Sequence, residues 1–288
     1  MQSRTALLLL VSSVSTNILA GSPRCELPRS ARDRLALAAA RTAAQHGGLA
    51  VQALEPVVYL DYDCPAEAAD LLRERATAAM SRTGLSVHEA EALAEMQGLQ
   101  AVAEAEVQTS TEHLDAARTA LTGVLERYAS DRVRQYASLA LAKTIANNDA
   151  DPLWPRLESD LQRMFEVPAA GWLAKNLLVT RKARTAGSAA AFEYIWGRLD
   201  NAPKLQESLE LATIAIRMLL DRNQALDAAM LASSLDREVA EMMLDLRARV
   251  EFLRLAAEAW RRQARAFPEP SAQERANTYA SAYAEATH

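Results

Sequence analysis

Aromatic residues make up only 5% of this chain of 288, and it holds just 9 glycines and 10 prolines. So few turn formers leave room for little loop, and they fall between periodic stretches rather than inside them, as punctuation should. The four histidines, His46, His88, His113 and His288, are scattered, and none stands at the i, i+4 spacing of paired metal ligands on a helix. Cys25 and Cys64, the two cysteines, fit neither a CxxC nor a zinc pattern. Also missing are Gly-x-Ser-x-Gly, Ser-x-x-Lys, a phosphate-binding glycine loop and a dinucleotide fingerprint, so familiar hydrolases and nucleotide enzymes are disfavoured. No cofactor or metal is implied. A formal charge of −5 and a pI near 5.6 lack the basic excess of a nucleic-acid binder.

What the chain has in quantity is alanine and other small apolar residues, which suit closely packed helices and point to an all-α class. Asp236 to Phe267 reads as one helix, with Val239, Met243, Leu246, Val250, Leu253, Ala257, Trp260, Ala264 and Phe267 stepping alternately by four and three. A second apolar set, Ala248, Phe252, Leu255, Ala256 and Ala259, lies away from that seam, so neighbours are expected on both sides.

The first twenty residues carry Arg4, an apolar run from Ala6 to Val11 and the sequence Asn17-Ile18-Leu19-Ala20, resembling a secretory signal cut after Ala20. The apolar run is shorter than the roughly 20 residues that span a bilayer, so no stable membrane span is expected. Export would place the protein in the periplasm or outside the cell, where Cys25 and Cys64 could join; two unpaired thiols are the alternative. Retention of the segment would instead mean a cytoplasmic protein.

Residues 21–64 read as an N-terminal helix, Ser30 to His46, followed by an extended linker in which Pro56 to Asp63 is β-branched and aromatic. Residues 65–288 read as an array of helices. Pro65 to Arg82 closes at Gly84, and Ser86 with Glu89 and Thr109 with Glu112 form capping-box signatures for the next two. Asp131 to Ala146, Pro152 to Glu166, Ala169 to Arg184, Ser188 to Leu199, Lys204 to Arg222 and Gln224 to Leu235 continue the series, and Ser271 with Glu274 opens a last helix. Short turns between consecutive helices make antiparallel hairpins, stacked as a solenoid or an irregular bundle. Ala256, Trp260 and Pro268 resemble the small, aromatic and proline positions in the second helix of a tetratricopeptide repeat. That resemblance implies a concave surface for a protein or peptide, lined by the first helix of each pair.

The sharpest chemical suspect is Val57-Val58-Tyr59-Leu60-Asp61-Tyr62-Asp63, similar to the Asp-x-Asp of some glycosyltransferases or the nucleophile strand of haloacid-dehalogenase-type phosphatases. Both families need a sheet that the sequence does not offer, so Asp61 and Asp63 read as solvated turn residues, Asp63 capping the next helix. On the long helix Arg247, Glu251, Arg254, Glu258, Arg261 and Arg265 form one alternating stripe, expected to be a solvated face; in the functional alternative Arg261, Arg262 and Arg265 grip an acidic partner. Trp154, Trp172, Trp196 and Trp260 read as packing residues. The residues favour a non-catalytic protein-binding or scaffold protein of the bacterial cell envelope whose partner is another protein or peptide. A helical enzyme or small-ligand binder, and an intracellular regulatory protein, are the alternatives.

Overall fold

A computed structural model describes residues 31–61, 63–110, 113–165, 170–199, 201, 205–235 and 246–287. Among these every regular element is a helix and there is no strand. Contacts divide the chain into two compact units, one holding residues 43–144 and the other 28–42 with 145–288. The expected signal segment, Cys25, Ser30 and the first turns of the long helix, including Val239 and Met243, lie outside the described residues.

Helix α1 is Ala31–His46. Only its last four residues fall in the first unit, which holds α2 (Leu49–Gln52), α3 (Leu54–Asp61), α4 (Pro65–Met80), α5 (Val87–Ser110), α6 (Leu114–Arg127) and α7 (Asp131–Thr144). Helix α3 packs on α4, α4 on α5, α5 on α6 and α6 on α7, with α7 also against α5. From Tyr136 to Ala142 every residue of α7 is buried, so this helix is encased rather than amphipathic. Burial of Leu139 and Leu141 there contributes about 1.5–3 kcal/mol each.

The segment Pro56 to Asp63 is not an extended linker: Leu54 to Asp61 is helical. Pro56 falls in the first turn, where a missing N–H costs nothing, and the first intrahelical bond runs from Val57 N to Ala53 O at 3.3 Å. Burial of Pro56, Tyr59 and Leu60 then outweighs the weak helix propensity of Val57 and Val58. The helix closes with Cys64 N on Tyr59 O at 2.9 Å and Asp63 N on Leu60 O at 3.1 Å, a Schellman arrangement that puts Asp63 at φ +60°.

Ser86 and Glu89 make the expected capping box. Glu89 Oε2 accepts from Ser86 N at 2.9 Å and from its hydroxyl at 2.7 Å, and Glu89 N donates back to Ser86 Oγ at 3.3 Å. Thr109 does not cap a helix. It lies in the last turn of α5, its hydroxyl donating to Ala105 O at 3.1 Å, because the buried face of α5 carries the helix on to Ser110. Its expected partner Glu112 lies outside the described residues.

The second unit holds α8 (Trp154–Arg163), α9 (Ala170–Leu199), α10 (Leu205–Asp221), α11 (Ala225–Ser234), α12 (Leu246–Ala266) and α13 (Pro270–Thr287). Gly187, at φ +87° and ψ 162°, breaks α9 into two arms. The arms fold back on each other. Lys182 Nζ lies 5.1 Å from the Tyr194 ring, and Lys175 and Arg198 lie 5.0 and 5.1 Å from the same Phe165 ring. In a straight helix, Lys175 and Arg198 would be about 34 Å apart.

Helix α10 is buried continuously from Leu209 to Ile216 and packs on α9, α11 and α12. Both apolar faces of α12 are covered: Leu253, Ala257 and Trp260 on the seam, and Ala248, Phe252, Leu255, Ala256 and Ala259 on the other side. Phe267 does not extend that seam, for α12 ends at Ala266 before Pro268 and the ring is 63% exposed. Phe252 and Tyr279, 6.3 Å apart edge to face, and Trp260 with Arg275, 5.1 Å apart, mark α12 and α13 as antiparallel. Ser271 does not cap α13. Pro270 occupies its first position and Glu269 O accepts Ala272 N at 3.1 Å, so the cap position is Glu269, two residues before Ser271.

Candidate functional sites

The Asp-x-Asp carboxylates are neither free in solvent nor a helix cap. Asp61 accepts the hydroxyl of Tyr136 on α7. Asp63 accepts Lys143 Nζ at 2.7 Å, and the same ammonium donates to Glu106 on α5 at 2.8 Å. The cap position of α4 is Cys64, which makes no side-chain cap bond. The reason is geometric: the Schellman turn swings Asp63 outward from α4 and toward α7. Burial pushes the Glu106 carboxyl above its ordinary pKa, with Lys143 opposing. For Lys143 burial works against the charge, but Glu106 and Asp63 outweigh it and hold the amine above its ordinary range. Burial and Asp61 push the Tyr136 phenol up as well. An ammonium held this firmly is a tie between helices and not a nucleophile. Among the described residues no group of three or more His, Cys, Asp or Glu side chains could hold a metal ion.

Arg75 joins the same unit together, bonding both Gln52 O and the buried Glu55. Cys64 is 2% exposed and disulfide-bonded, and the chain's other cysteine, Cys25, lies outside the described residues.

In the second unit the structure reveals a buried pair that the sequence reading missed. Lys175 Nζ on the first arm of α9 donates to Glu210 on α10 and to Phe165 O, each at 2.6 Å. Arg198 on the second arm bonds Glu207, one turn earlier on α10, at 2.7 Å. Phe165 thus sits between two cations that fasten both arms of the hairpin to one helix. Gly171 permits this approach, since a Cβ there would stand 2.7 Å from the carbonyl oxygens of Met164 and Phe165. A signal existed: Lys175 interrupts the apolar run Trp172 to Val179, as Glu210 interrupts Leu209 to Ile216.

The stripe on α12 meets α10 at Glu251, while Arg254, Arg261 and Arg265 keep much of their surface in solvent. Glu251 accepts Arg254 at 2.7 Å and Arg217 of α10 at 2.7 Å, and Arg217 also lies 5.9 Å from the Trp172 ring and 3.4 Å from Asn176 Oδ1 on α9. Burial raises the Glu251 pKa, but the hydrogen bonds and charges of Arg254 and Arg217 prevail and hold it below the ordinary value. Arg217 therefore places the first arm of α9, α10 and α12 side by side in that order. Phe192 of the second arm of α9 and Leu231 of α11 each pack against both core clusters of the unit, and Arg275 of α13 bonds Ser233 Oγ of α11 at 2.8 Å.

Of the three arginines singled out from the sequence, Arg261 and Arg262 share Glu258, at 3.1 and 2.8 Å. Arg262 also bonds Leu220 O at 3.0 Å, while Arg265 is exposed and has no ion pair among the described residues. Trp154, Trp172 and Trp260 are buried packing residues with Arg181, Arg217 and Arg275 over their rings. Trp196 is not: it is 41% exposed on the second arm of α9, because Ile195 takes the inward position.

No helix among the described residues is long and apolar enough to cross a membrane. No protein-family model, curated protein or solved structure matches the chain.

Proposed function

We propose that this is a non-catalytic protein-binding scaffold of the bacterial cell envelope, holding a polypeptide partner along the row formed by the first arm of α9, α10 and α12. The observation that carries this reading is the reach of Arg217 across three consecutive first helices, from Trp172 and Asn176 to Glu251. Three first helices side by side support this reading, since stacked helical hairpins of the tetratricopeptide kind line their binding surface with the first helix of each pair. The internal use of Asp61, Asp63, Glu106, Lys143, Lys175 and Glu210 as ties supports a scaffold role for the buried polar groups. The signal-like start and the bonded Cys64 support export, with Cys25 as the partner thiol.

Two measurements test the proposal. A photo-crosslinking residue at Thr180, exposed on the first arm of α9, should join the protein to a polypeptide in its native host, whereas one at Ala189 on the second arm should not. Equal yields from both positions, or none, would remove the binding row. Mass spectrometry of the natively expressed chain should find it beginning at Gly21 with Cys25 and Cys64 linked; an intact Met1 in a cytosolic fraction would remove the envelope address.

A further inference from the structure

We infer that the partner segment held on this row is acidic, and that Arg254, Arg261 and Arg265 of α12 are the groups that meet it. This deepens the scaffold reading and rests on it. The face concerned is defined by the α12 stripe, which points to the side on which Arg217 reaches Glu251. Along it the guanidiniums of Arg217, Arg254, Arg261, Arg262 and Arg265 pair with two carboxylates of the same stripe, Glu251 and Glu258, or, for Arg265, with none among the described residues.

The excess is local, in a chain whose formal charge is −5. Glu258 is shared between two arginines, so one carboxylate serves two guanidiniums. Arg254 and Arg261 both keep 45% of their side-chain surface in water, and Arg265, in the last turn, has no ion pair among the described residues. A planar guanidinium is also the side chain best matched to a carboxylate, because it can donate two parallel hydrogen bonds. The last turn of a helix favours cations through its own dipole, so this end of α12 holds its positive charges at little cost to the fold. An Asp- and Glu-rich stretch of polypeptide is the occupant that complements this face.

The intramolecular carboxylates give the proposal an internal check. Glu258 competes with the partner for Arg261 and Arg262, so removing it should strengthen binding while removing arginines weakens it. A stripe that serves only to stabilise the helix has no such opposed pair of effects on binding.

The test uses the full chain and a fluorescein-labelled peptide of alternating Asp, Glu and Ser, with an Asn, Gln and Ser peptide of equal length as control, read by fluorescence anisotropy. The acidic peptide should bind saturably, and binding should weaken as salt rises. The double variant Arg261→Gln with Arg265→Gln should lose about tenfold in affinity, Glu258→Gln should gain, and Arg156→Gln, exposed on α8, should change nothing. Arg265→Gln alone, at an exposed site without an ion pair, serves as the variant whose folding is not in question. Failure of the acidic peptide to bind, or binding indifferent to Arg265 and Glu258, overturns the inference. So does tighter binding of a single-stranded oligonucleotide or of vesicles containing phosphatidylserine. If Thr180 still crosslinks to a polypeptide while any of these holds, only the acidic partner is lost and the scaffold reading stands.

Discussion

Lys175 and Glu210 meet at 2.6 Å with 0% and 2% of their side-chain surfaces exposed, so neither charge has water to fall back on. Removing Lys175 takes the counter-charge from a buried carboxylate that keeps neutral support such as the Gln206 amide at 2.9 Å, a loss of about 3–5 kcal/mol, whereas replacing both by apolar groups of similar volume is close to neutral. Lys175→Met should therefore lower the urea midpoint sharply, and Lys175→Met with Glu210→Leu should recover most of it. Phe165 O, which also accepts from Lys175, keeps the recovery incomplete. A double variant no more stable than the single one would show that the pair does not act as a unit.

Gly187 makes a separate prediction because a Cβ there would meet nothing within 4 Å. Substitution carries no clash, only the backbone cost of a conformation that belongs to glycine, about 1–3 kcal/mol. Gly187→Ala should lower the thermal midpoint. Gly197→Ala, in the helical second arm and equally free of contacts, should raise it, because helix propensity adds about 0.5–1 kcal/mol of stability. The same change with opposite signs, ten positions apart, isolates the turn.

Among the described residues, the two with left-handed backbone that are not glycine, Asp63 and Asn223, both sit at the end of a Schellman turn. At Asn223 the bonds are Gln224 N to Leu219 O at 2.9 Å and Asn223 N to Leu220 O at 3.0 Å. Calorimetry should rank Gly above Asn above Ala above Val at position 223, the span from Gly to Val reaching about 1–2 kcal/mol. At position 63 glycine should bring no such gain, since it also removes the bond to Lys143.

Much of the helical layout was legible because apolar periodicity and glycine punctuation are local signals: Gly187, the Ser86 box and the two covered faces of α12 can all be read from neighbouring letters. The failures share one cause. Pro56 to Asp63 has strand-like composition, and only burial against α4 makes it helical. Thr109 and Ser271 carry the letters of a cap, but packing of α5 and the placement of Pro270 decide where those helices begin and end. The site residues were harder still. Lys143 joins Asp63 across 80 positions and Lys175 joins Glu210 across 35, and no local pattern encodes such pairings.

Two carboxylates should give the units opposite responses to acid. Glu251 is held below the ordinary glutamate value of 4.5, so its contribution is present above that value and is lost as the pH falls through the lower, folded-state pKa. Glu106 is raised above 4.5 by burial, so its contribution is present below that value and lost as the pH rises through the higher, folded-state pKa. Between neutral pH and about 3, hydrogen exchange should therefore speed up around Arg217 and Glu251 on α10 and α12 before it does around Glu106 and Lys143 on α5 and α7. Glu251→Gln should flatten the acid limb of stability for the second unit, and Glu106→Gln should remove the gain on mild acidification in the first. Parallel acid loosening of both regions, unchanged by either variant, would mean that Arg254 and Arg217 do not set the ionisation of Glu251, nor burial that of Glu106.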